Sequence, residues 1–133
     1  MRILALTSEP ISADTLRSAV GADTANTSEV LVVAPALNSR WRFFLADPDP
    51  AIERAEQVEE ESVERLDEEG IDAAGETGDA DPLQALEDAL VTYPADEIVL
   101  FTHAAGKQNW LERGVVDAAR ERFSQPVRHV VID

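Results

Sequence analysis

The chain has no cysteine and a single lysine, Lys107, among its 133 residues. The first absence excludes disulfides, a thiolate nucleophile and any cysteine-held metal, and it fits a cytoplasmic protein. No apolar run reaches the length of a membrane span. The N-terminal run in "MRILALTSEP" stops at Thr7, short even of the apolar core of a secretion signal, so a soluble protein that is not exported is expected. Positive charge is scarce: 11 Lys and Arg face 27 Asp and Glu, for a formal net charge of −16, which repels nucleic acid and anionic membranes at long range. The acidic excess is compatible both with life at high salt and with an ordinary solvated surface.

Signatures of catalysis are also missing. There is no Gly-x-Ser-x-Gly for a hydrolase elbow. "HAAGKQN" supplies only Gly106 and Lys107 of a P-loop, and the two histidines, His103 and His129, have no second ligand at zinc spacing. "LTSEP" and "VAPAL" do not carry the acids that a phospho-accepting receiver domain needs after its strands. The acids of "EQVEEESVERLDEE" fall on a solvated helix face, where general acid/base chemistry lacks a dry pocket. A non-enzymatic protein is expected.

What is present is an alternation of strands and helices in a length that suits one domain, residues 1–133. Apolar stretches predict strands at Ile3–Leu6, Val30–Ala34, more weakly Ile71–Gly75, then Ile98–Phe101 and Val127–Ile132. "VLVVA" and "IVLF" are apolar at successive positions, as strands of a parallel sheet covered on both faces are. Ser12 is placed to cap a helix through Leu16, Ala19 and Val20. A second helix over about Ala51–Glu69 has Ile52, Ala55, Val58, Val63 and Leu66 in one stripe, and Gly70 to stop it. In "GDADPLQALEDAL", Asp81 as cap, Pro82 at the first position and Gln84 three residues after the cap predict a capping box, with Leu83, Leu86 and Leu90 inward. A last helix is expected from near Asn109 to Phe123, ended before Pro126.

This order of elements, with "GDADPLQALEDAL", then "ADEIVLFTH", a loop, a helix and "QPVRHVVID", resembles the universal stress protein family over essentially the whole chain. The resemblance implies a Rossmann-like three-layer α/β sandwich on a five-stranded parallel sheet of order 3-2-1-4-5. Its switch point lies between the first and fourth strands, where ligands of open α/β sheets bind. It also implies a homodimer through the last strand, with Val127, Val130 and Ile132 at that edge. Many members bind ATP through a loop after the fourth strand, patterned Gly, two residues, Gly, nine residues, Gly, then Ser or Thr. Anchored on Gly114, those positions here are Phe101, Ala104, Gly114 and Val115, so only the third matches. The family's acid after the first strand falls at about Ser8, with Glu9 beside it. The departures argue against ATP held in the usual way.

The same strand order brings positive groups toward the switch point: Arg40 and Arg42 from "NSRWRFF", and His103, Lys107 and Arg113 from "THAAGKQNWLERG". With Thr7, Ser8 and Thr102 at strand ends and Gly106 and Gly114 in the loop, they make a candidate site for an anionic small metabolite. Surface arginines more often pair with local acids, here Asp47 and Asp49, and Trp41, Phe43, Phe44 and Trp110 are expected to pack. The reading is a non-catalytic regulatory or stress-response domain, dimeric, acting through a protein partner or by sensing that metabolite. One alternative is an adenine-nucleotide (ATP or AMP) binder using a rearranged loop 102–114. The other is a small phosphate-ester enzyme, for which fold analogy is the sole support.

Overall fold

Strands that are apolar at successive positions must be covered on both sides, and the chain supplies helices for each side. A computed structural model of the protein describes residues 1–35, 49–79, 81–103 and 114–132. Its elements are β1 (Arg2–Thr7), α1 (Ala13–Val20), α2 (Ala22–Thr27), β2 (Glu29–Pro35), α3 (Asp49–Glu68), β3 (Asp72–Gly78), α4 (Pro82–Thr92), β4 (Glu97–His103), α5 (Val115–Arg122) and β5 (Val127–Ile132). The five strands form one sheet of order β3-β2-β1-β4-β5, parallel throughout. This is the α/β sandwich and strand order expected from the sequence. Among the described residues, no helix is long and apolar enough to cross a membrane.

The alternation of strand side chains divides the core in two. On one face Ile3, Ala5, Val30, Val32, Val99 and Phe101 pack with Ile11 and Leu16 of the α1 region, Ala25 of α2 and Leu66 of α3. On the other, Leu4, Leu6, Leu31, Val33, Ile98 and Leu100 pack with Ala85, Leu86 and Ala89 of α4 and Ala119 of α5. Leu4, Leu86, Leu100 and Ile98 are almost wholly excluded from water, each stabilising the fold by about 1.5–3 kcal/mol.

The helix ends follow the sequence closely. Ser12 Oγ accepts the Thr15 amide at 3.2 Å. Gly70, at φ +82°, ends α3 with the paired bonds Ile71 N to Leu66 O and Gly70 N to Asp67 O, a Schellman arrangement. Asp81 caps α4 through the Leu83 amide at 3.0 Å with Pro82 in the first turn, but no capping box forms: Gln84 donates forward to Asp88 at 2.8 Å. The inward side of α4 also differs from the expected leucine stripe. Ala85, Leu86 and Ala89 are buried while Leu83 and Leu90 are only partly so, because α4 lies close to β3 and small residues fit there. In α3, Ile52 is 38% exposed and outside the buried stripe of Ala55, Val58 and Leu66.

β3 shows why that closeness matters. Its sequence, DAAGETG, is a poor strand former, yet it pairs with β2 from Asp72 to Gly78, beyond the expected Gly75. A Cβ on Gly75 would run into Glu59 Oε2, and one on Gly78 would sit 2.7 Å from Ala85 Cβ and 3.0 Å from Val33 Cγ1. The two glycines let α3 and α4 approach the sheet. β3 and β5 are the edges. β5 is fixed to β4 by ladder pairing, by the ion pair of Arg128 Nε with the buried Glu97 and by a hydrogen bond between Thr102 and His129.

Candidate functional site

β1 leads to α1 on one face of the sheet and β4 leads toward α5 on the other, so the chain forks beyond the C-terminal ends of these two neighbouring strands. A cleft lies at this fork. Its walls are Leu6, Thr7 and Ser8 from β1 and the residue after it, Pro35 closing β2, Leu100, Phe101 and Thr102 of β4, and Pro82 and Val115 from the first turns of α4 and α5. The space within it, open on one side, is about 20 Å³, enough for one water-sized group. Three residues nominated from sequence, Thr7, Ser8 and Thr102, meet here.

Their hydrogen bonding is specific. Thr7, 1% exposed, donates its hydroxyl to Glu9 O at 2.5 Å and accepts the Glu9 amide at 3.2 Å, a turn that fixes the path out of β1. Thr102, 3% exposed, has its Oγ1 2.5 Å from His129 Nε2. The Glu9 carboxylate is turned toward α3, where Arg54 meets it at 2.7 Å.

Two helices begin beside the cleft, and they differ. The first turn of α4 already receives the carboxylate of Asp81. α5 starts from Gly114 in the left-handed region, φ +74°, and among the described residues no side chain caps its first amides. A Cβ at Gly114 would meet nothing within 4 Å among the described residues, and the positive φ calls for glycine there. Val115 presents an apolar wall where the family pattern has a hydroxyl, and Phe101, 3% exposed, packs into the core on the α1 face.

Of the other nominated residues, His103 ends β4 opposite Ile132, its side chain outside what the structure describes. Arg40, Arg42, Gly106 and Lys107, with Trp41, Phe43, Phe44, Trp110 and Arg113, lie outside the described residues. All seven described arginines are engaged. Arg2 pairs with Glu29, Arg17 with Asp14 and Glu69, Arg54 with Glu9, Arg65 with Glu61, Arg122 with Glu87 and Arg128 with Glu97, while Arg120 reaches Val127 O. The other four cations of the chain all fall in segments 36–48 and 104–113, which follow β2 and β4. These segments hold four cations and two acids, net +2, whereas the rest of the chain holds seven cations and 25 acids, net −18. Among the described residues, no group of three or more His, Asp or Glu is placed to hold a metal ion.

His129 was not nominated from sequence. The register sets it opposite Leu100 and diagonal to Thr102, on the same face. Only the pairing of β4 with β5 reveals this, since 27 residues separate the two side chains.

Compared with known families and with curated proteins, the chain matches no family model and no curated sequence.

Proposed function

We propose that this chain is a universal-stress-protein-like regulatory domain, non-catalytic, which holds a small anionic metabolite at the C-terminal edge of its sheet and pairs with a second copy through β5. The observation that carries the reading is the convergence of Thr7, Ser8 and Thr102 in one cleft at the fork of a 3-2-1-4-5 sheet. The strand order agrees with the resemblance, and the concentration of otherwise scarce cations in the segments after β2 and β4 supports an anionic ligand. A cytoplasmic role in a stress response, with or without a protein partner, belongs to the same reading.

Gly114 in the left-handed region, before an α5 that no side chain caps among the described residues, keeps one alternative specific, an adenine nucleotide held by a rearranged loop. A thermal-shift titration with ATP, AMP and magnesium beside a panel of phosphorylated and cyclic nucleotides and non-nucleotide anionic metabolites separates the two. A ligand that binds only the folded state adds about 2.7 kcal/mol of stability at a hundredfold excess over its dissociation constant. A shift with an adenine nucleotide favours the alternative, a shift with other anions only favours the main reading, and none across the panel removes the ligand. The dimer is tested by light scattering on the wild type and on Val130→Glu. A monomeric wild type would remove the β5 pairing from the proposal.

A further inference from the structure

A strand at the edge of a sheet turns every second N–H and C=O away from its neighbour, which makes it a template on which another chain can add a strand. Proteins blunt such edges with proline, a bulge, lysine or a short strand, and β3 has none of these. It runs seven residues, Asp72–Gly78, contains neither proline nor lysine, and pairs with β2 from end to end without a bulge. Among the described residues, no backbone hydrogen bond reaches its outer side. Ala74, Glu76 and Thr77 are exposed, and the small residues Ala73, Ala74, Gly75 and Gly78 leave room for a second backbone to approach.

Charge decides which chain can approach. Ala73 packs in the core on the α3 side, a Cβ on Gly75 would meet Glu59 and Val63 of α3, and one on Gly78 would meet Ala85 of α4. By alternation, Asp72 and Glu76 therefore lie on the α4 side, about 13 Å apart along the strand. On the α3 side, Glu59 lies against Gly75, with Glu56 and Glu60 within one turn of it. Among the described residues none of these five acids has a cationic partner. Burial, and then Glu60, Glu56 and Glu76, push the Glu59 carboxyl pKa up, as crowded carboxylates do. A second copy of the chain would set the same acids against these, so the edge repels its own kind. We infer that the β3 edge docks an extended segment of another protein that carries Lys or Arg four residues apart, added to the five-stranded sheet as a further strand. The free backbone groups bind the segment, and the carboxylates select it. β5 lies at the opposite edge, so this surface stands whether or not β5 pairs with a second copy or the cleft at the fork holds a ligand.

The test titrates the whole chain with the peptide acetyl-Lys-Thr-Val-Thr-Lys-Thr-Val-amide while backbone amides are followed by NMR and hydrogen exchange. The peptide is expected to shift the amides of Ala73 to Gly78 and to slow exchange at alternate ones. An analogue with both lysines replaced by glutamate is expected to bind at least about tenfold more weakly. Two further analogues are N-methylated at alternate residues, one along each edge of the peptide. They keep the charge, and the one whose blocked edge faces β3 is expected to lose at least about tenfold in affinity. Glu76→Lys should weaken the lysine peptide by at least about fivefold and Glu76→Gln in the same direction by less, whereas Glu121→Lys, the same change in net charge on exposed α5, should alter it by less than about twofold. Unchanged binding of both N-methylated analogues, or equal weakening by Glu121→Lys, reduces the contact to charge alone and overturns the inference. So do shifts centred away from β3, and so does silence with every peptide. Protection of the β3 amides that grows with protein concentration in the absence of peptide overturns it too, by giving the edge to a second copy.

Discussion

Replacing Gly78 by alanine tests whether the close seating of α4 on the sheet governs stability and the shape of the cleft. The new Cβ would lie 2.7 Å from Ala85 Cβ and 3.0 Å from Val33 Cγ1, well inside the usual 3.5–4.0 Å carbon separation. Both neighbours are buried, so neither can swing aside, and overpacking of this kind costs about 1–3 kcal/mol. Gly78 is not in the left-handed region, so the backbone accepts alanine and the penalty is steric. Relief should come from Ala85→Gly, which alone costs about 1 kcal/mol in helix propensity plus the loss of a buried methyl group. The double variant exchanges the two side chains across the contact and should be at least about 1 kcal/mol more stable than the sum of the singles implies. Urea denaturation of the four proteins measures this, with thermal midpoints expected to move by roughly 4 °C per kcal/mol at this size. Strictly additive losses would refute the claim that helix and strand meet at this pair. Because Pro82, three residues before Ala85, forms part of the cleft wall, Gly78→Ala should also shift NMR signals of Thr7 and Thr102.

Arg128→Ala leaves the buried Glu97 carboxylate without its partner and should cost about 1–3 kcal/mol, below the range for a fully buried pair because the Arg128 side chain is half exposed; Glu97→Gln in the same background should recover part of the loss in denaturant titration, and a silent Arg128→Ala would contradict the latch on β5. Glu59 has its carboxyl pKa raised, first by burial and then by Glu60, Glu56 and Glu76. A raised acid makes the folded state bind protons more readily than the unfolded state, so stability falls as pH rises through its titration. Glu59→Gln should therefore raise the thermal midpoint at pH 7, with the gain fading in acid where the wild-type carboxyl is protonated; a gain independent of pH would point to another cause. Tyr93, raised to about 12 by burial and by Glu29, donates to Glu29 O at 2.9 Å. The wild type should lose stability between the ordinary tyrosine range and pH 12, a loss absent from Tyr93→Phe in alkaline melts. Asp81→Ala should cost about 0.5–2 kcal/mol as the loss of a true cap, while Gln84→Ala should cost far less because Gln84 does not reach back to the cap; equal losses would restore the capping box.

The central strands were legible because continuous apolar runs leave a chain few ways to hide both faces, and the strand order followed from the resemblance. β3 was barely legible: Ala73, Ala74 and Gly75 carry little strand propensity, and their conformation comes from pairing with β2 and from helices that need the room. α2 was missed altogether. "ADTANT" after a Gly21 at φ +93° is rich in weak helix formers, and the segment is held by the burial of Ala25 against α1 and the sheet. Gln84 misled because a polar side chain on an exposed turn has two comparable partners, and the forward bond to Asp88 prevailed. At the site, Thr7, Ser8 and Thr102 could be nominated because strand ends at a switch point are fixed by topology. His129 could not, because its relation to Thr102 depends on a register that no local pattern encodes.

The engaged arginines bear on what kind of recognition the described part of the protein can perform. Seven guanidinium groups stand among 25 acids outside segments 36–48 and 104–113, and each is already engaged, six with carboxylates and one with a carbonyl. Such a surface repels an approaching anion. An anion can be held near this edge only if positive charge is supplied there, and the segments that follow β2 and β4 carry the chain's remaining cations, Arg40, Arg42, Lys107 and Arg113. If the proposed resemblance holds, the departures from its glycine pattern and the valine at 115 have a physical counterpart. Recognition of negative charge would rest on side chains in place of backbone amides, which demands fewer glycines. Neutralising Arg40 and Lys107 should weaken binding of any anion steeply and make it less sensitive to salt, a change read by titrating the anion at two ionic strengths.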